Sequence, residues 1–142
     1  MNVVYNDTKK DLPVEQLYHL FLSANWASEN IPDDWLENFN RPFINSTLVI
    51  SAWENERLVG VVRVISDKFI RSHIYDLVVD PEYQSRGIGS ELVKRCIEYY
   101  PKSQWVVGCL KERAGFYENI GFQKGDPNGE GVCLTIPHQR TK

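Results

Sequence analysis

Apolar positions at 14, 17, 18, 20, 21 and 22 recur at close to helical spacing and predict a helix over Val14 to Ala24. Pro13 suits the entry to that helix, with Asp11 as its candidate cap. A second short helix is predicted after Pro32, with Asp33 and Asp34 favourable in its first turn. It covers Trp35, Leu36 and Phe39 and stops before Pro42. The pattern then changes. Thr47 to Trp53 is apolar and β-branched, Glu54-Asn55-Glu56 is a turn, and Leu58 to Ile65 resumes the pattern, which together read as a hairpin. A further strand is predicted from His73 to Val79, ended by Asp80-Pro81. Ile88, Leu92, Val93, Cys96, Ile97 and Tyr100 then form one helical stripe, closed by Pro101. Gln104 to Leu110 reads as a strand and Lys111 to Asn119 as a short helix with Gly121 at its C-terminal end. Val132 to Ile136 reads as a final strand, and Val3 to Tyr5 as a short first one.

The predicted order, β-α-α-β-β-β-α-β-α-β, places one β-α-β crossover inside a mainly antiparallel sheet. That is an α+β class with three layers. At 142 residues, with no internal repeat, the chain is one domain over 1–142. The net charge of −3 lacks the dense basic face that nucleic acid requires. The N-terminal MNVVYNDTKKD has no long apolar stretch, and no run approaches the length of a membrane span, so the expectation is a cytoplasmic protein with no membrane partner. Three cysteines, Cys96, Cys109 and Cys133, are too few and too widely spaced for a disulfide framework or a zinc ribbon. Cys96 and Cys109 lie in apolar runs and are expected as buried thiols. His19, His73 and His138 are too scattered for a metal site, and no metal is expected.

Chemistry concentrates between Leu77 and Ser90. There a strand ends, a loop carries Gly87 and Gly89, and a helix starts. N–H groups at a helix start have no intrahelical acceptor and carry partial positive charge, which suits a phosphate. Gly87 and Gly89 let a pyrophosphate approach the main chain, and Arg86 adds a candidate charged contact. Leu92 stands where a dinucleotide fingerprint needs its third glycine, and no Gly-Lys-Ser/Thr follows, so neither a Rossmann turn nor a P-loop is present.

Gln84-Ser85-Arg86-Gly87-Ile88-Gly89 resembles the Q/R-x-x-G-x-G/A motif of the GCN5-related N-acetyltransferase (GNAT) family. Ala114 to Phe122 resembles that family's second signature, an aromatic-tyrosine pair followed by Gly-Phe. The resemblance covers roughly residues 1–138. It implies a mainly antiparallel twisted sheet with helices on both faces, and central fourth and fifth strands that splay around acetyl-CoA. By matching position, Leu77, Val78 and Val79 would pair with the pantetheine arm. N–H groups of Gln84, Ser85, Arg86, Gly87, Ile88, Gly89 and Ser90 would hold the pyrophosphate, and Tyr117 would protonate the departing thiolate. A backbone N–H near Val79 would polarise the thioester carbonyl.

Asp76 is the candidate base or amine-anchoring carboxylate. Strand alternation expects it on the opposite side of the sheet from Tyr75 and Leu77. His73 is the weaker candidate for base. One departure stands out: where many relatives carry an asparagine six or seven residues before the tyrosine, this chain has Lys111 and Leu110. The implied reaction is acetyl transfer from acetyl-CoA to a primary amine by direct attack, with no acyl-enzyme. The acceptor is expected to be a small molecule in a pocket drawn from Trp26, Trp35, Phe39, Phe43 and Tyr75, with Glu29, Asp33 and Asp34 favouring a cation. Tyr75 to Pro81 with Phe116-Tyr117 is also similar to plant-type arylalkylamine and lysine acetyltransferases. Acetylation of a protein lysine or N-terminus stays open, as does a non-catalytic acyl-CoA sensor, and the family leans toward a homodimer.

Overall fold

The computed structural model describes residues 2–126 and 128–138. Five strands form one sheet in the order β1 (Val3–Asn6), β2 (Leu48–Glu54), β3 (Arg57–Ser66), β4 (Arg71–Val79) and β5 (Gln104–Val107). The first three pairings are antiparallel and β4 with β5 is parallel, as the central crossover demands. Helices α1 (Val14–Ser23), α2 (Asp33–Glu37) and α3 (Arg41–Ile44) lie between β1 and β2; α4 (Ile88–Tyr99) bridges β4 and β5; α5 (Ala114–Glu118) follows β5.

The sheet is covered on both faces. Leu17, Leu20 and Phe21 of α1 and Phe43 of α3 pack with Val49, Val61 and Val78. On the other face Ile88, Leu92, Val93 and Cys96 of α4 pack with Ile50, Val59, Val62 and Val64. Central strands buried on both sides explain the near-continuous apolar runs of β2 and β3. Each fully buried aliphatic side chain here contributes roughly 1.5–3 kcal/mol. Gly60 lets α4 sit close, since a Cβ there would meet Ile88 Cγ2 and Leu92 Cδ1, both at 3.3 Å.

Two features of the central strands shape the molecule. Pairing of β4 with β5 stops at Ile74 opposite Val107, while β4 runs on to Val79, so the two strands part. A bulge also interrupts the β3–β4 register: Arg63 lies opposite Asp76 but Val64 lies opposite Ile74.

Several sequence expectations change. Pro13, not Asp11, is the N-cap of α1, and Asp11 instead pairs with Lys9 at 3.6 Å. α2 stops before Pro42 as expected, but already at Glu37, short of Phe39, and Pro42 itself opens another helix. It lies in the first turn of α3, where its missing N–H costs nothing. β5 ends at Val107 rather than Leu110, and Lys111–Asn119 divides into a 3-10 turn, Lys111–Arg113, and α5. Val132 to Ile136 forms no strand: Val132, Leu134 and Ile136 are 82%, 88% and 92% exposed. Alternation specifies a strand only where a neighbour supplies the ladder. Here the Asp126 carboxylate accepts from the N–H groups of Asn128 and Gly131, winding the preceding loop on itself. Among the described residues no helix is long and apolar enough to cross a membrane.

Candidate active site

Where β4 and β5 part, a cavity of about 540 Å³ opens, within the usual range for a small-molecule site. Its walls are the C-terminal half of β4, the loop and first turn of α4, the chain after β5, and α5. Of the residues singled out from sequence, Asp76, Leu77, Val78, Val79, Gln84, Ser85, Gly87, Ile88, Gly89, Ser90 and Tyr117 line it. Arg86 does not; its guanidinium lies over the Tyr83 ring, 5.2 Å from the centroid.

Backbone alternation assigns the polar groups of β4. The Asp80 N–H donates to Val59 C=O at 2.9 Å, so the Val78 backbone also faces β3, while Leu77 and Val79 turn theirs toward the gap. The Val79 carbonyl there accepts from Gln84 Nε2 at 3.1 Å.

The loop into α4 is pinned from below. Asp80, 8% exposed, accepts from the Glu82 N–H at 3.0 Å and from Arg57 Nη2 at 2.8 Å. The Tyr83 hydroxyl donates to Glu54 Oε1 at 2.6 Å, which raises the tyrosine's pKa. Arg57 and Arg86 each lie over the Tyr83 ring. Sequence reading missed these anchors. Asp80-Pro81 was the one local signal, since Arg57 and Glu54 arrive from the β2–β3 hairpin.

Ser85 and Gly87 take left-handed φ values of 65° and 84°, a pattern of the kind that gathers N–H groups into an anion-binding hollow. The first bond of α4 runs from the Glu91 N–H to Gly87 C=O at 3.0 Å. Among the described residues, the N–H groups of Ser85, Gly87, Ile88, Gly89 and Ser90 have no protein acceptor. Gln84 differs, with a long 3.4 Å contact from its N–H to Pro81 C=O. Gly89 packs tightly, since a Cβ there would meet Phe116 Cζ at 3.3 Å.

Tyr117 is 9% exposed and stands edge-on to Phe116 and Phe122, with ring centroids 4.9 and 5.5 Å away. Its hydroxyl has no hydrogen-bond partner among the described residues. Burial, then the negative charge available at Cys109, pushes its pKa up to about 12, against a smaller lowering by Arg113. Cys109 is not the buried thiol the sequence suggested. It is exposed and lines the cavity, because β5 ends before it. Cys96 is buried as expected.

Asp76 Oδ2 accepts from Arg63 Nε at 2.6 Å, and the Arg63 guanidinium also lies over the Tyr75 ring at 5.3 Å. Tyr75 and Asp76 therefore share a side, contrary to strict alternation, because the bulge resets the pleat between them. His73 stacks on Tyr75 at 4.3 Å, burial lowers its pKa, and it is not among the cavity-lining residues. The expected aromatic acceptor wall divides. Trp26 and Tyr75 line the main cavity, whereas Trp35, Phe39 and Phe43 line a second hollow of about 380 Å³ with Asp34, Arg41 and Arg63. Asp76 borders both. Neither hollow is lined by Glu29 or Asp33.

The sequence profile of the acetyltransferase (GNAT) domain matches residues 8–136. An uncharacterised N-acetyltransferase, ycf52, of Pyropia yezoensis is 26% identical over 133 residues, 89% of this chain and 73% of its own length. The chloroplastic GCN5-related N-acetyltransferase 2 of Arabidopsis thaliana is 32% identical over 81 residues, 54% of this chain, and the match spans only 30% of that longer protein. Among solved structures, a GNAT-family acetyltransferase from Streptococcus pneumoniae TIGR4 superimposes with a TM-score of 0.78 at 22% identity, covering 97% of this chain and all of that one. An aminoglycoside acetyltransferase from an uncultured soil metagenomic sample, in complex with sisomicin, gives 0.68 at 22% identity over 98% and 97% of the two chains.

Proposed function

The chain belongs to the GNAT acetyltransferase family, and from that premise we propose that it transfers an acetyl group from acetyl-CoA to a primary amine on a small molecule, by direct attack and without an acyl-enzyme. The observation that carries this reading is that the N–H groups of Ser85, Gly87, Ile88, Gly89 and Ser90, without an acceptor among the described residues, lie on the wall of the cavity that Tyr117 also lines. Such a set, at the start of a 12-residue helix, is built for a diphosphate.

In this reading the N–H groups of Ser85, Gly87, Ile88, Gly89 and Ser90 hold the pyrophosphate. Leu77 and Val79 offer their gap-facing backbone groups to the pantetheine arm. Acetyl-CoA supplies the activated acyl carbon, and the protein supplies register and polarity. The Val79 N–H polarises the thioester carbonyl. The amine nitrogen bonds to that carbon as the carbon–sulfur bond breaks. With a pKa near 12, Tyr117 keeps its proton at neutral pH. Outright proton transfer from it to a thiolate, whose thiol has a pKa of about 8.5, runs uphill. Its hydroxyl therefore acts as a hydrogen-bond donor to the sulfur; the ammonium first gives up one proton to water so that the neutral amine attacks, and the second proton, shed by the nitrogen after attack, protonates the released thiolate. Asp76, fixed by Arg63, anchors the acceptor ammonium between the two hollows. Trp26 and Tyr75, both half or more exposed, flank the entry for an organic cation. A structural neighbour, an aminoglycoside acetyltransferase in complex with sisomicin, supports a small-molecule acceptor. The reading keeps the cytoplasmic setting and no metal.

The test is thiol release from acetyl-CoA with a panel of arylalkylamines, polyamines, aminoglycosides, amino acids and lysine peptides. Turnover on a small amine is expected, with kcat in Tyr117→Phe lower by about 10²–10³-fold, the usual cost of one such donor. Turnover on peptides alone would refute the small-molecule acceptor, and undiminished kcat in Tyr117→Phe would refute the donor.

A further inference from the structure

One group at the cavity has no task in the reaction above. Of the three thiols, Cys96 is fully buried in α4, and Cys133 is exposed but outside the cavity lining. Cys109 is both exposed and part of the cavity wall. Tyr117 lines the same cavity; the residue is nine-tenths buried, and its hydroxyl lacks a partner among the described residues. Cys109 is close enough for its charge to bear on that hydroxyl. In the proposed reaction this hydroxyl marks where the sulfur of coenzyme A comes to rest, and Cys109 lines the same cavity.

We propose that Cys109 is a modification site for the disulfide of coenzyme A, which is steered to it by the diphosphate-binding start of α4. The inference rests on the coenzyme A reading of the cavity. The Cys109 thiolate attacks one sulfur of the disulfide. A bond forms between Cys109 Sγ and that sulfur, and the original sulfur–sulfur bond breaks. The second coenzyme A leaves as a thiolate and takes up the proton that Cys109 released. One thiol is oxidised and one is formed, so no further oxidant is needed. The adduct fills the cavity, excludes acetyl-CoA and is reversed by a thiol reductant.

The experiment is intact-mass and peptide-mapped labelling of the reduced full chain by coenzyme A disulfide, with hydroxyethyl disulfide as the probe lacking a diphosphate. Both are run with and without excess acetyl-CoA, on the wild type and on Cys109→Ser and Cys133→Ser. The expected result is one dithiothreitol-reversible coenzyme A per chain, formed at Cys109 at least about tenfold faster than at Cys133, as held reactants allow. That preference should vanish with hydroxyethyl disulfide and in the presence of acetyl-CoA, and labelling should persist in Cys133→Ser and be lost in Cys109→Ser. Equal labelling of Cys109 and Cys133, or a preference that survives with hydroxyethyl disulfide or under acetyl-CoA, overturns the proposal. Calorimetry on the same samples separates the two failures. Acetyl-CoA bound with Cys109 unlabelled sinks the modification alone, whereas no acetyl-CoA binding sinks the reading of the cavity and the modification with it.

Discussion

Asp76 shows how far a single residue can be read from its neighbours. Its place one residue before Leu77-Val78-Val79 drew attention to it, and its pairing with Arg63 at 2.6 Å fixes one of its oxygens. Its face could not be read from sequence, because the bulge that sets Tyr75 beside it depends on the β3 register and not on any local residue type. Asp76→Asn keeps the shape and removes the charge. Steady-state kinetics should show the amine KM rising by about tenfold while acetyl-CoA affinity holds, the pattern of lost acceptor binding. An unchanged amine KM takes Asp76 off the acceptor side. Tyr117 was legible from its motif, but its unpartnered hydroxyl and raised pKa were not, since both come from packing between Phe116 and Phe122. Cys109 was misjudged for a related reason. The apolar run Trp105 to Leu110 reads as one strand, yet it leaves the sheet after Val107.

At the level of elements, α4 was the clearest. A stripe at helical spacing, a glycine-bearing entry and Pro101 beyond its end define it without tertiary help. The final strand was the least clear, because its alternation has no ladder to join. The two glycines at the start of α4 do different work, so their substitutions should separate. A Cβ at Gly87 meets nothing within 4 Å, but its φ of +84° is the left-handed region. Gly87→Ala should therefore cost about 1–2 kcal/mol in denaturant unfolding. Gly89 has no positive φ, but its Cβ would press on Phe116 at 3.3 Å, beside the acceptor-free N–H groups. Gly89→Val should weaken acetyl-CoA binding by about tenfold or more by blocking close approach to the main chain. Equal effects of both changes on stability and on affinity would contradict this division.

For the whole molecule, both faces of the sheet were legible as apolar runs, while the parting of β4 from β5 came only from the resemblance and is visible in the registers. The fully buried Cys96 couples that packing to pH. Burial pushes its pKa from 9.0 up to about 12. The unfolded chain loses this proton above pH 9 and the native chain keeps it, so stability present below pH 9 is lost as pH rises toward 12. The slope reaches about 1.4 kcal/mol per pH unit. Urea unfolding between pH 8 and 10.5 should show this decline, and it should be shallower in Cys96→Ala. Parallel declines in the two proteins would assign the effect to other groups.

We propose that the opening between β4 and β5 is a coenzyme A site built on the N–H groups of Ser85, Gly87, Ile88, Gly89 and Ser90 at the start of α4. Calorimetric titration of the full chain with acetyl-CoA should show saturable 1:1 binding that free coenzyme A competes away and Gly89→Val weakens. No detectable binding, or binding that Gly89→Val leaves untouched, would contradict it.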